Sequence, residues 1–363
     1  MRLKKGPPDF ILFMTTVILV CVGLIMVFSS SSVTANLKFD DPYYFFKRQL
    51  LWALIALVVM MVVMKINYHR LKDLAVPALV VAVICLVIVI FTPEVKGSSR
   101  YLGVGPLRFT PSELAKLCMV LFLAATLSRR LDKVTTFWRG LGPFLVIIGL
   151  VVGLVMLQPD LGTAFVMGVT SLLMLVMAGA KMAHMGVLAG LGVALVGLAV
   201  YLEPFRFKRL IAFLDPWKDP SHYGFQTIQS LYALGSGGLF GMGLGRSRQK
   251  FFYLPEQHTD FIFAILGEEL GFLGAGVVLL LFFLFAWRGF RIALKAPDIF
   301  GSLLAGGITT MIIFQAAVNI GVVSGTLPVT GIPLPFISFG GSSLVFTLAG
   351  VGLLLNISRY SSR

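Results

Sequence analysis

Apolar residues in this chain come in long, nearly unbroken runs separated by short polar segments. Crossing a bilayer takes about 20 mainly apolar residues. Runs of that kind lie near 10–28, 49–64, 74–91, 112–128, 141–157, 163–179, 185–202, 269–287, 302–323 and 342–356, several of them short enough to need interfacial residues at their ends. Backbone polar groups find no water in hydrocarbon, so each run must be a helix or part of a closed barrel. Nothing alternates with period two. The pattern predicts an all-α membrane protein of about ten transmembrane helices, a single polytopic domain over 1–363.

An even number of spans puts both termini on one side, and basic residues decide which. Arg2, Lys4 and Lys5, Lys65, Arg70 and Lys72, Arg129, Arg130, Lys133 and Arg139, and Arg288, Arg291 and Lys295 all fall on the terminus side, while the short loops opposite are poorer in Lys and Arg. Both termini are therefore expected in the cytoplasm. Acidic residues sort the other way: only Asp9, Asp73, Asp132 and Asp298 fall inside. The first run follows a basic stretch but is too long for a signal-peptide core, so it reads as a retained helix. The one large connection, residues 203–268, lies outside. A loop of that length is usually functional or structured. Its Gly235–Gly245 run and aromatic stretch Phe251–Phe263 suggest an ordered segment against the membrane, part of it re-entrant.

Composition agrees. The chain is 58% hydrophobic and 13% charged, whereas soluble domains carry about 25% charged residues. The net charge of +14 is scattered through short segments, which argues for topology signals rather than a nucleic-acid groove. Cys21, Cys85 and Cys118 each sit inside an apolar run, with no metal-ligand or disulfide spacing. The glycine run lacks a following Gly-Lys-Ser/Thr, and no nucleophile elbow is present.

Four segments carry candidate chemistry. In Thr110–Lys116, Pro111 suits a helix start, Thr110 or Ser112 suits a cap, and Glu113 and Lys116 share a face just inside the membrane. Such a pair either locks packing or lines a polar cavity. In Gln158–Thr163, Asp160 stands at the outer surface as a helix cap, a site residue, or both. Asp260, with His258 before it, precedes Phe-Ile-Phe. Apolar surroundings would raise a carboxyl pKa and make it a better base near neutral pH, although a helix-start aspartate looks similar. Finally, Pro328–Ser343 holds three prolines that preclude a regular helix, so it must be an extended loop buried against protein or lining a cavity.

Together these segments resemble the SEDS family of shape, elongation, division and sporulation proteins, over essentially the whole chain. The strongest match is Asn319-Ile320-Gly321 followed by Leu327–Ser343; residues 110–116, 158–163 and 253–269 match too. Pro7–Phe10 and Phe251–Pro255 look more like the division and sporulation branch. The resemblance implies a peptidoglycan glycosyltransferase that polymerises lipid II at the outer face of the cytoplasmic membrane, beside a class B penicillin-binding protein as transpeptidase. It implies that Asp260 is catalytic and that Glu113 and Lys116 lie in a central cavity. The family usually has Arg-Trp where this chain has Arg100-Tyr101, which weakens the carry-over of a substrate contact there.

On this reading Asp260 is the general base of an inverting transfer. Arg100, Lys116, Arg206, Lys208, Arg209 and Arg246 are candidate cations for the leaving pyrophosphate, with a divalent cation (Mg or Mn) as a possible aid. Tyr101, Asp160, His258, Ser338 and Ser342 complete the substrate-side candidates. The cluster at 206–209 has a plainer reading, attraction to lipid headgroups. Two other functions stay open: a lipid II flippase or other transporter, and a non-catalytic scaffold of the division or sporulation machinery.

Overall fold

The structure, a computed structural model, describes residues 6–92, 100–103, 109–251 and 253–360. Arg2, Lys4, Lys5 and Phe252 lie outside the described residues. Among the described residues twelve α-helices run in chain order: α1 Phe10–Phe39, α2 Tyr44–Val63, α3 Tyr68–Ile90, α4 Pro111–Leu127, α5 Gly142–Met156, α6 Leu161–Met177, α7 Met182–Tyr201, α8 Pro204–Leu214, α9 Phe225–Gly237, α10 Ile262–Leu294, α11 Ile299–Val323 and α12 Gly341–Ser358. A π-helical turn, Phe137–Leu141, leads into α5.

By length and composition, eight of these helices can cross a membrane, α5 being counted with its leading turn. α4 and α6 have 17 residues each and pack among the longer ones. The ten expected spans thus correspond to α1–α7 and α10–α12, and the chain is an integral membrane protein. α11 and α12 are buried along most of their length, whereas α7 turns nearly all of its surface outward. Phe272, Leu280 and Phe283 on α10 are likewise exposed. In water such apolar exposure would be a liability, but in lipid it is the solvent-facing surface.

The first and last described segments meet. Gly6 N–H donates to Arg359 O at 2.7 Å, and the Arg288 guanidinium at the end of α10 pairs with Asp9, which also caps α1. At the same end Asn356 accepts from Tyr68 N–H at 3.2 Å and donates to Met64 O at 2.6 Å.

Two boundaries differ from the sequence expectation. α1 continues eleven residues beyond the expected 28, through a serine run that should favour breaking it. The serines are satisfied within the fold: Ser31 Oγ donates to Val27 O at 2.6 Å, and Ser29 Oγ reaches Glu269. α10 starts at Ile262 rather than near 269, and it is broken at Gly271 (φ 68°, ψ −170°). The break frees the amides of Phe272 and Leu273, which donate to Gly238 O (2.8 Å) and Leu239 O (3.1 Å) beyond α9. In return Met242 and Gly243 donate to Glu268 O and Glu269 O, both at 3.0 Å. Among the described residues the long connection therefore contains two helices, α8 and α9, with a short 3-10 turn Pro216–Lys218 between them, then turn-rich stretches over 238–251 and 253–261, and a half-helix over 262–270.

Candidate functional site

The site is assembled at the end of the bundle opposite the chain termini. Residues 328–340 form an extended loop, as their prolines require. Polar side chains from neighbouring helices hold it. Gln49 of α2 donates to Ser338 O and accepts from Gly340 N–H, both at 3.2 Å. On α11, Gln315 donates to Pro333 O at 2.9 Å, and Asn319 Nδ2 bridges Ile332 O and Asp260 O, each at 2.7 Å. Ser338 Oγ donates to Thr259 O at 2.6 Å and accepts from Leu334 N–H at 2.8 Å. Phe339 N–H donates to His258 O at 2.9 Å. The segment carrying Asp260 and the proline-rich loop are thus one sewn unit. Each peptide group at this depth needs a protein partner, which is why so many amides converge here.

Asp260 is half-buried just before α10. Gly331 (φ +72°, a conformation that suits glycine) lies beside it; a Cβ placed there would sit 3.5 Å from Asp260 Oδ2. Arg209 of α8, stacked over the Phe205 ring at 4.3 Å, lies within electrostatic range of Asp260. Burial is the main cause that lowers the Arg209 pKa, the charge of Arg100 lowers it further, and Asp260 and Tyr223 oppose both. Two guanidiniums and one carboxylate therefore share one electrostatic neighbourhood.

Arg100 is anchored on the 158–160 turn. Its Nε donates to Gln158 O at 3.4 Å, a second nitrogen bonds Pro159 O, and Nη1 stands 3.9 Å from Asp160 Oδ2. Asp160 is buried and accepts from Thr163 N–H at 3.1 Å, so its capping role is realised while it also neighbours Arg100. Glu113 and Lys116 pair at 2.9 Å, both buried, and Lys116 also donates to Gln315. Because Gln315 holds Pro333, that ion pair is wired to the proline-rich loop. The expected cap of α4 by Thr110 or Ser112 does not form; instead the Thr110 amide donates to Ser342 Oγ at 3.2 Å.

The remaining candidates have other surroundings. Arg206 donates to Ala199 O at the end of α7 (3.3 Å), Lys208 lies 5.8 Å from the Tyr223 ring centroid, and Arg246 and Tyr101 are exposed. The His258 ring packs against Phe45 and Phe339, with centroids at 4.6 and 5.7 Å. Among the described residues no group of three or more His, Cys, Asp or Glu could hold a metal ion, and no step is assigned to the divalent cation.

Sequence reasoning passed over two carboxylates. Glu268 and Glu269 are buried in the half-helix. Glu269 accepts from Ser29 Oγ (2.7 Å), Lys250 Nζ (3.1 Å) and Ser247 N–H (3.4 Å). Glu268 accepts from Arg248 N–H (2.9 Å), Gln249 N–H (3.4 Å) and Ser247 Oγ. The available signal was an adjacent acidic pair entering an apolar run, which demands partners wherever lipid excludes water. These bonds fasten the turn preceding Asp260 to the helix following it.

The profile of the FtsW, RodA and SpoVE cell cycle proteins matches residues 10–363. Among curated relatives, stage V sporulation protein E of Bacillus subtilis is 51% identical over 99% of this chain and 100% of its own length. A probable peptidoglycan glycosyltransferase FtsW of Geobacter sp. is 45% identical over 96% of both chains. Among solved structures, a chain from a peptidoglycan synthase complex that coordinates polymerization and crosslinking superposes with TM-score 0.80 at 33% identity, covering 97% of this chain and 98% of that one. The rod shape determining protein RodA of Thermus thermophilus gives TM-score 0.73 at 30% identity over 98% of each.

Proposed function

The chain belongs to the FtsW, RodA and SpoVE family of cell cycle proteins, and on that premise we propose that it is a peptidoglycan glycosyltransferase with Asp260 as its general base. One observation carries the assignment of residues: a half-buried carboxylate, held by its backbone to Asn319, shares its electrostatic surroundings with Arg209 and Arg100. A carboxylate beside fixed cations is the equipment for taking a proton while negative charge grows on a leaving group.

The substrate is lipid II, presented from the outer leaflet of the cytoplasmic membrane. Asp260 takes the proton of the acceptor sugar hydroxyl. That oxygen bonds to the anomeric carbon of a second lipid-linked sugar with inversion. The bond from that carbon to pyrophosphate breaks, and undecaprenyl pyrophosphate departs with the electron pair. Arg209 and Arg100 face the departing charge. Asp160 orients Arg100, and the Glu113–Lys116–Gln315 chain holds the proline-rich loop that backs the site. A class B penicillin-binding protein would crosslink the new strand, as the pairing of polymerization with crosslinking in the related synthase complex suggests. Strong likeness to a sporulation protein and to division proteins fits septal or spore cortex wall synthesis.

The test is polymerisation of lipid II by purified protein, with and without the transpeptidase. Asp260→Asn should abolish polymer while the protein keeps its thermal transition. Polymer at the wild-type rate would end the assignment. Movement of labelled lipid across vesicles, with no polymer from the wild type, would make the chain a flippase instead.

A further inference from the structure

At the end of the bundle that holds the chain termini, a groove of about 270 Å³ opens between α4 and α5. Its walls are apolar: Phe122 on α4, and Pro143, Phe144 and Ile147 on α5. Arg129 and Arg130 stand at its mouth. Pro143 is exposed, and Val146 and Leu150 beside it belong to the outward surface of α5, so the groove is reached from the bilayer rather than from the protein interior.

Basic residues outnumber acidic ones around the mouth, with Arg129, Arg130, Lys133 and Arg139 against Asp73 and Asp132. Arg129 pairs with Asp73 at 3.0 Å, with both groups exposed. Among the described residues Arg130 has no carboxylate within ion-pair distance. Lys133 and Arg139 follow on the next turns. That turn packs closely: Gly140 lies so near Lys133 O that a Cβ would come within 1.7 Å of it. The π-helical turn Phe137–Leu141 then sets α5 off from α4. Such turns recur at functional sites.

An apolar trough entered from lipid and closed by two guanidiniums matches one kind of molecule, an acyl chain carrying an anionic phosphate headgroup. Guanidinium forks bind phosphate through paired, charge-assisted hydrogen bonds. Basic pockets between transmembrane helices are suited to anionic headgroups. We propose that this groove binds one anionic phospholipid from the leaflet on the side of the termini, its phosphate on Arg129 and Arg130 and one chain along Phe122, Phe144 and Ile147. The site is remote from Asp260 and does not depend on the catalytic reading.

Native mass spectrometry of the full chain in neutral detergent, with phosphatidylglycerol or phosphatidylcholine added, tests it. Wild type should retain one phosphatidylglycerol in preference to phosphatidylcholine. The double variant R129Q/R130Q should hold phosphatidylglycerol about tenfold more weakly, because charged hydrogen bonds are lost. The double variant K133Q/R139Q, which removes equal charge outside the groove, should bind as wild type. Ile147→Trp fills the trough without changing charge and should also lose the lipid; it decides the matter if R129Q/R130Q does not fold. Equal retention of the two lipids by wild type overturns the proposal, as does unchanged binding in R129Q/R130Q or in Ile147→Trp. An equal loss in K133Q/R139Q would show diffuse attraction to the basic end and would also overturn it.

Discussion

Lys250 Nζ lies 3.1 Å from Glu269 Oε1, with 3% and 0% of the two side chains exposed. A buried ion pair is costly to form and costlier to halve, since removing one partner strands the other charge at about 3–5 kcal/mol. Lys250→Met leaves Glu269 with Ser29 and an amide but no cation. We expect destabilisation of about 3 kcal/mol or more in detergent unfolding, together with loss of polymerisation. A variant with an unchanged transition would mean that water reaches the pair.

Asn319 supports two backbone carbonyls with one amide group. Asn319→Leu keeps the volume and strands Asp260 O and Ile332 O, at about 1–3 kcal/mol for each unsatisfied group. Because the first carbonyl belongs to the proposed base, kcat should fall more than KM rises. Steady-state kinetics on lipid II separate the two, and a pure KM effect would place Asn319 in binding alone.

Arg209 should act on the leaving group rather than on folding. Arg209→Gln is expected to lower kcat/KM about 100-fold, the scale of losing one preorganised electrostatic contact. Arg209→Lys should recover only part of it, because an ammonium lacks the planar fork. Arg246→Gln, at an exposed position, should leave the rate within about twofold, as surface substitutions usually do. Equal losses in both would reduce the basic residues here to general membrane attraction.

Glycines on α10 should divide sharply. A Cβ at Gly271 would come within 2.3 Å of Gly241 N and 2.6 Å of Leu239 O, at a φ of +68°. Gly271→Ala should cost about 3 kcal/mol or more, as backbone strain and overpacking combine. Gly276→Ala meets nothing within 4 Å and should be neutral or mildly stabilising. Thermal shift of the two variants in the same detergent checks both.

The helical architecture was legible because lipid forces long apolar runs into helices, and α2, α3, α7, α11 and α12 lie close to the runs that announce them. α1 outlasted its apolar run because Ser29 and Ser31 find partners, one of them on a distant helix. No local signal reports such a partner. Asp160 as a cap was readable from spacing. The electrostatic influence of Arg100 and Asp260 on Arg209 was not, since those residues come from three separate segments. Glu268 and Glu269 escaped notice because their worth lies in the turn at 247–250, which folds back onto them.

Four interstrand-like peptide contacts rivet the end of α9 to the break at Gly271. The two short segments must therefore travel as a single rigid wedge. Neither segment can then shift against the other without breaking those four peptide hydrogen bonds.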